Sequence, residues 1–352
     1  MKKLSLFTLI IISAFTLRAQ DNSKSIAEAT NFAVPSSPAF LLLDVNPTKV
    51  NKPGFARDFK FDWVFQGEGL APNIAIEAQP IWLLFYDKTS LKNYQDQDWL
   101  PRTLSTLSVS LGTVEQENVS SLAFAFKINL YREADPIMDN AYINKIAPVF
   151  SDKNLELRIA SLEAKKERTG ALDQSEQSEY GLLILNRNTL DEKERERIKE
   201  AQKQYIKDNW NATLVDIGYG RSYNYNNANF NNLDFISSGS GLWINACKGF
   251  GRRTLISGLL KYTDVARKEQ YMGGINFRYG SSKVNFFAEC VYENIPGEES
   301  KRVDRYTLAY GGDYRIQQNI ALQFGVRTEY NKDFNLNQLR PVVNLNYILN
   351  KD

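Results

Sequence analysis

The sequence predicts an all-β chain: an antiparallel transmembrane β-barrel of about twelve strands that carries a helical insertion. Three observations predict it. Apolar and polar residues alternate with a period of two in segment after segment. Aromatic residues are numerous, with 20 Phe, 18 Tyr and 5 Trp in 352 residues. Yet the mean hydropathy is only −0.40. A chain that is polar on average and rich in aromatics suits a wall with one face on lipid and the other on water. Beyond residue 20 no apolar run is long enough for a membrane helix. A membrane form must then be a closed barrel, because lipid cannot satisfy an open sheet edge.

Residues 1–20 have the layout of a secretory signal. Lys2 and Lys3 open it, Leu4 to Leu17 is apolar with small hydroxyl residues, and Arg18-Ala19-Gln20 gives way to polar Asp21-Asn22-Ser23. The stretch is short for a transmembrane anchor, and no Cys lies near its end to take a lipid. Its removal takes away Lys2, Lys3 and Arg18 and turns a net charge of +2 into −1. That balance gives no reason to expect nucleic acid. Residues 21–54 follow, irregular and punctuated by Pro35, Pro38, Pro47 and Pro53 around an apolar knot, Phe40-Leu41-Leu42-Leu43. They form either a loose leader or a plug. The knot needs an apolar seat, so Ser37 to Phe59 is expected to dock in the barrel mouth.

The barrel is expected over residues 55–349. Phe55, Phe59, Phe61, Trp63 and Phe65 alternate with Asp58, Lys60 and Asp62; Leu122, Phe124, Phe126, Ile128 and Leu130 with Ala123, Ala125, Lys127 and Asn129. Less regular strands fall near 74–86, 104–115, 211–224, 235–248 and 253–264. The pattern is cleanest later. Tyr271, Gly273, Ile275, Phe277 and Tyr279 oppose Met272, Gly274, Asn276 and Arg278, and Val284, Phe286, Ala288, Cys290 and Tyr292 oppose Asn285, Phe287, Glu289 and Glu293. Gly280-Ser281-Ser282 turns the chain between them. Strands near 305–315, 319–330 and 339–349 complete the wall, with Tyr residues near strand ends as an interfacial girdle requires. A soluble two-sheet sandwich also alternates, but its outer faces are not so aromatic.

Residues 133–210 break the pattern as a charged helical insertion. Thr189-Leu190-Asp191-Glu192 reads as a capping box before a helix from Asp191 to Trp210. That helix spaces Glu192/Arg195, Glu194/Arg197, Glu196/Lys199 and Glu200/Lys203 three apart. Leu190, Ile198, Ala201, Tyr205 and Ile206 give it an apolar stripe. It is read as a solvated helix on the barrel rim or as a partner-binding helix.

The polar strand faces carry the functional information. Lys127, Lys261, Arg278, Glu289, Arg305, Asp313, Arg315, Arg327, Glu329 and Arg340 are read as lumen-lining, with Lys60, Asp62, Glu77 and Asp216 beside them. An ion-selective channel would gather one sign of charge. Here the signs mix, which fits a lumen laced by its own ion pairs or a hydrated path. With no His anywhere, His general bases and His-bound metals are excluded. Cys247 and Cys290 are too far apart in the strand count to suggest a metal clip. No cofactor or metal is implied. Carboxylates such as Glu289 and Glu293 are all that an enzymatic reading would have to use.

The signal ending in Ala19-Gln20, the alternating aromatic strands from Tyr271 and the closing strand to Leu349 resemble Gram-negative outer-membrane β-barrel proteins of porin-like architecture. The resemblance covers residues 55–349 outside the insertion and concerns architecture, not activity. The chain departs from the pattern at its end, where Tyr347 is followed by Ile348-Leu349-Asn350-Lys351-Asp352. The resemblance implies an outer-membrane address, a lipid surround and passage through the barrel assembly machinery. Such barrels leave the C-terminus in the periplasm. Counting back places the turns near 249–252, 280–283 and 315–318, the insertion and the N-terminal segment on that side. Two functions follow: a passive or gated channel for small solutes, or an occluded structural or assembly barrel whose insertion binds a periplasmic partner.

Overall fold

The computed structural model describes residues 36–50, 52, 59–66, 73–86, 94–116, 119–146, 153–225, 236–265, 268–296, 302–317 and 319–348. The signal segment, Phe55, Asp58 and Leu349 lie outside them. The strands are β1 Lys60–Gln66, β2 Asn73–Ala78, β3 Ser108–Gln116, β4 Val119–Arg132, β5 Leu214–Tyr225 and β6 Ile236–Phe250. They continue as β7 Thr254–Val265, β8 Lys268–Gly280, β9 Val284–Pro296, β10 Arg302–Arg315, β11 Ile320–Asn331 and β12 Leu336–Ile348. They follow one another around a closed barrel. Closure is made by β1 against β12, with Lys60 opposite Ile348 and Val64 opposite Asn344. It leaves every strand with a neighbour on both sides.

The alternation in sequence becomes an alternation in space. In β9, Asn285, Phe287, Glu289, Val291 and Glu293 are buried, whereas Val284, Phe286, Ala288, Cys290 and Tyr292 face out. The outside is apolar: Leu260 is 66% exposed, and Ile275 and Phe286 are each 63% exposed. No soluble sandwich presents such a belt to water. Aromatic rings border it at both ends. Tyr262 packs tilted beside Tyr271 and Tyr292 beside Tyr306 at one rim; Phe250, Tyr279, Phe286 and Tyr314 are exposed at the other. The free thiols follow the same rule, with Cys247 buried inside and Cys290 exposed outside.

The rim where β1 begins and β12 ends, here the terminal rim, carries the two longest connections between strands. The turns at 251–253, 281–283 and 316–319 lie there, as do the links 79–107 and 133–213. Gly251 (φ 61°) and Gly280 (φ 151°) make two of the turns, and a Cβ on Gly280 would fall 2.4 Å from the Val284 carbonyl oxygen. One helix, α1 Pro38–Leu43, lies inside the barrel; the long links at this rim carry a π-helical turn Trp82–Tyr86, α2 Trp99–Leu104, α3 Asn140–Ile146, α4 Lys153–Thr169 and α5 Gln174–Asn209. No helix among the described residues is long and apolar enough to cross a membrane.

Three sequence expectations need correction. The strand expected over 74–86 stops at Ala78, and the chain is helical from Pro80, because Pro cannot donate to a ladder. The strand expected from 104 begins at Ser108, since α2 occupies the preceding residues. The long helix does not start at the Thr189 box. It starts at Gln174 behind Asp173, whose carboxylate accepts from the Glu176 N–H while the Glu176 side chain accepts from the Asp173 N–H. Ion pairs tie it to α4, Arg158 to Glu179 at 2.7 Å and Lys165 to Glu176. At its base Ile198, Ala201, Tyr205 and Ile206 pack with Ala134 and Tyr142.

Candidate functional site

Eight strands make a barrel that side chains can fill, and sixteen or more leave a water channel. Twelve leave a bore that the wall cannot fill alone, and the N-terminal segment fills it. Ser37 begins the insertion: its N–H donates to Asp62 Oδ2 at 2.6 Å, and its hydroxyl caps α1. Pro38 at the first helical position presets the backbone angle. The Ala39 N–H donates to the Ser110 hydroxyl at 2.8 Å. From there α1 climbs the inner faces of β2 to β6, where small residues make room. A Cβ on Gly112 would lie 2.9 Å from that of Ala39, and one on Gly241 would lie 2.6 Å from Leu42 Cδ1. Asp44, left-handed at φ 56°, ends the helix and turns the chain. The segment then descends past β11 and β9 to Val50, against Gly274. Finally the Lys52 ammonium lies 5.0 Å over the Trp210 ring near the terminal rim.

The apolar knot finds its seat here. Phe40 and Val45 pack with Val64, Ala75, Val114 and Val342. Leu41 and Val50 pack with Ala125, Trp243, Leu259 and Val291. Phe40, Val45 and Val50 are fully buried.

Charge fixes the far side. Asp44 Oδ2 stands 3.0 Å from both Lys49 Nζ and an Arg327 guanidinium nitrogen. Arg327 also donates to the Asp44 and Asn46 carbonyls at 3.1 and 3.2 Å. Glu289 accepts from the Lys49 and Val50 N–H groups at 2.7 and 2.9 Å, and Asn276 donates to it at 3.0 Å. Glu293 pairs with Lys49 and Arg305, each at 2.8 Å, and Arg305 with Glu329 at 3.3 Å. Lys261 donates to the Leu41 and Leu42 carbonyls at 2.8 and 3.3 Å. Above this layer, towards the distal rim, lies a cavity of about 110 Å³ bounded by Leu42, Asp44, Lys261, Gln270, Glu293 and Arg305.

Of the expected lumen residues, Lys261, Glu289 and Arg327 thus touch the segment directly, and Arg305 and Glu329 reach it through Glu293. Lys127 belongs to a lower cluster with Glu77 (3.5 Å), Lys60 and Asp62, which the segment meets at Ser37. Arg278 pairs with Asp313 beside Asn285, below the segment. Arg315 lies half-buried near the same rim, and Arg340 is half-buried opposite Arg327. Among the described residues Arg340 joins none of these pairs. Sequence reasoning missed Asp44 and Lys49 as partners of the wall. A signal was present: Val64, Val114, Trp243, Leu259, Val291 and Val342 are apolar at inward positions, where water alone would select polar residues.

A polar, ion-paired interior and an apolar belt between two aromatic girdles settle the address. The protein is an outer-membrane β-barrel. No family model matches the sequence, and no curated protein matches it. Solved structures match at the level of fold. OccAB4 of Acinetobacter baumannii is 7% identical with a TM-score of 0.31, over 81% of this chain and 56% of that one. The chain therefore spans little more than half the length of OccAB4. CymD, a monoaromatic hydrocarbon channel, is 9% identical over 91% and 95% of the two chains, with a TM-score of 0.35. The NanC porin is 6% identical over 83% and 100%, with a TM-score of 0.34. At these identities and scores the likeness adds nothing to the barrel already described.

Proposed function

We propose that the protein is a gated outer-membrane channel for small solutes, shut in this conformation by residues 36–50, with its terminal rim in the periplasm. One observation carries the reading. The far side of the segment that blocks the bore is held to the wall by polar contacts, Asp44–Arg327, Lys49–Glu293 and the two backbone N–H groups on Glu289. Both its ends leave by the terminal rim, so it can be displaced without taking a strand from the wall. The mixed signs around the bore support passage of small polar solutes over strong ion selectivity. Planar-bilayer recording of the refolded protein tests this, with and without residues 21–54. Current that appears only on deletion supports the plug. An insulating deletion variant rejects the channel, and equal conductance of both forms rejects the plug.

A second reading rests on α5. At 1.5 Å per residue its 36 residues extend ~54 Å, and Leu182 and Leu185 on it are 63% and 61% exposed. That favours a partner for the insertion in the periplasm. Site-specific photocrosslinking from Leu182 in cells, yielding one defined adduct, would support it; a smear of unrelated adducts would count against it.

A further inference from the structure

The link between β2 and β3 has an outward face that the bore does not use. Leu84 and Phe85 of the π-helical turn are 73% and 68% exposed, and Trp99 and Leu100 of α2 are 58% and 56% exposed. In water such a patch is a liability. Its position explains it. β3 begins only at Ser108, opposite Lys127, so the last five residues of β4 run on without a partner on that side. The link covers that edge: the Thr106 hydroxyl accepts from the Asn129 N–H at 3.0 Å, and Arg132 donates to the Tyr94 hydroxyl at 2.8 Å. A bulge between Asn129 and Tyr131 turns Tyr131 outward, 53% exposed. The apolar face of the link is therefore continuous with the lipid belt of the wall, which it prolongs where β2 and β3 stop short.

Beside this face lies a cleft of about 440 Å³, between α2, the end of β4 and the base of α5. That volume suits a small organic group. Trp99 and Tyr131 line its lipid side, and Arg102, Glu133 and Asp139 its polar side. Arg102 spends its donors on weak acceptors, the Asp98 carbonyl at 3.4 Å and the Met138 sulfur at 3.5 Å. Among the described residues it has no carboxylate partner. An aromatic wall open to lipid, a guanidinium fork and carboxylates within one cleft match a phospholipid headgroup that joins a phosphate to a primary ammonium.

We propose that this cleft binds a zwitterionic phospholipid of the ethanolamine class from the periplasmic leaflet. The phosphate lies on Arg102, the ammonium towards Glu133 and Asp139, and the acyl chains along Trp99, Leu100 and Tyr131. The proposal rests on the orientation proposed above, but not on conductance.

The test is native mass spectrometry of the refolded full chain offered phosphatidylethanolamine, phosphatidylglycerol and lipopolysaccharide in turn. Phosphatidylethanolamine should be retained, and Arg102→Ala should lower its retention about tenfold, or ~1.4 kcal/mol. Equal retention by R102A, preference for phosphatidylglycerol, or retention of lipopolysaccharide alone overturns the proposal, the last by placing this rim in the other leaflet. Heat-modifiable gel migration confirms that R102A is folded. In vesicles of lipid brominated high on the acyl chain, the fluorescence lost in Trp99→Phe should be the quenched part. An unquenched difference would place Trp99 in water and also overturn the proposal. A bilayer that shows no current leaves both readouts intact, so this idea and the channel fail separately.

Discussion

Asp44→Ala removes the acceptor shared by two cations. In the docked segment Asp44 Oδ2 is 3.0 Å from Lys49 Nζ and 3.0 Å from Arg327. The two cations fare differently. Lys49 keeps Glu293 at 2.8 Å. Arg327, with a side chain only 4% exposed, keeps two carbonyls and Glu329 at 3.7 Å. A hydrogen bond to a charged group contributes ~1.5–3 kcal/mol. Asp44 is 32% exposed, so solvent already screens part of the pair and the low end applies. The expected loss is ~2 kcal/mol of docking free energy, a rise of roughly thirtyfold in the ratio of undocked to docked segment. Single-channel recording reads this ratio as open time, with the variant lacking residues 21–54 as the fully open reference. Asp44→Asn keeps one acceptor oxygen and should fall between wild type and Asp44→Ala. If Asp44→Ala opens no more often than wild type while the deletion conducts, the ion pairs do not hold the segment, and the reasoning fails.

Other outcomes follow from the same geometry. Glu289→Gln leaves one acceptor oxygen for two backbone N–H groups; a cost of ~1–3 kcal/mol should lengthen open times to a degree comparable with Asp44→Ala, and unchanged recordings would show that Glu289 does not hold the segment. Gly241→Val drives bulk into Leu42, already 2.6 Å from a Cβ there; it should raise open time while heat-modifiable migration stays normal, and a tighter closure would contradict the seat. Cys290 should react with a lipid-soluble maleimide but not with a charged, membrane-impermeant thiol reagent, and Cys247 with neither; labelling of Cys290 by the charged reagent would deny the lipid belt. The α4–α5 hairpin should fray on acidification. The Glu176 N–H on Asp173, and Arg158 on Glu179, hold both carboxyls below their ordinary range. Stability from a depressed carboxylate is present above its unfolded pKa and lost as pH falls through the folded one. Amide protection at 174–180, taken relative to the intrinsic exchange rate at each pH, should therefore fall below about pH 4 and hold between pH 6 and 8; the reverse order would show that these carboxylates do not hold the hairpin.

The wall was legible because its physics is local. A strand such as β9 must change solvent at every residue, and Phe286, Ala288, Cys290 and Tyr292 record that choice one by one. The helix start was not, because two stretches carry the same box. Asp173-Gln174-Ser175-Glu176 and Thr189-Leu190-Asp191-Glu192 both fit the pattern, and the apolar Gly181 to Leu185 between them has no polar face to mark it as a solvated helix. The run from Ile74 to Tyr86 reads as strand by composition, and only Pro80 signals the change. The segment in the bore was legible as an apolar knot needing cover, but not its partners. Lys49 and Glu293 are separated by 244 residues, and no local pattern records a contact made at that distance.

That separation sets the order in which the molecule can be built. Residues 36–50 emerge before any strand, yet Glu289, Glu293, Arg327 and Asn344, which hold them, arrive on β9, β11 and β12. The same late strands supply the seam, since Lys60 must find Ile348 to close the circle, the slowest kind of pairing a chain can make. The seat is thus completed only when the seam is. A loop with both ends at one mouth needs no threading, so it can enter a finished cylinder. Its early contacts with β1 and β3 can form first, but the full set exists only once the circle is closed.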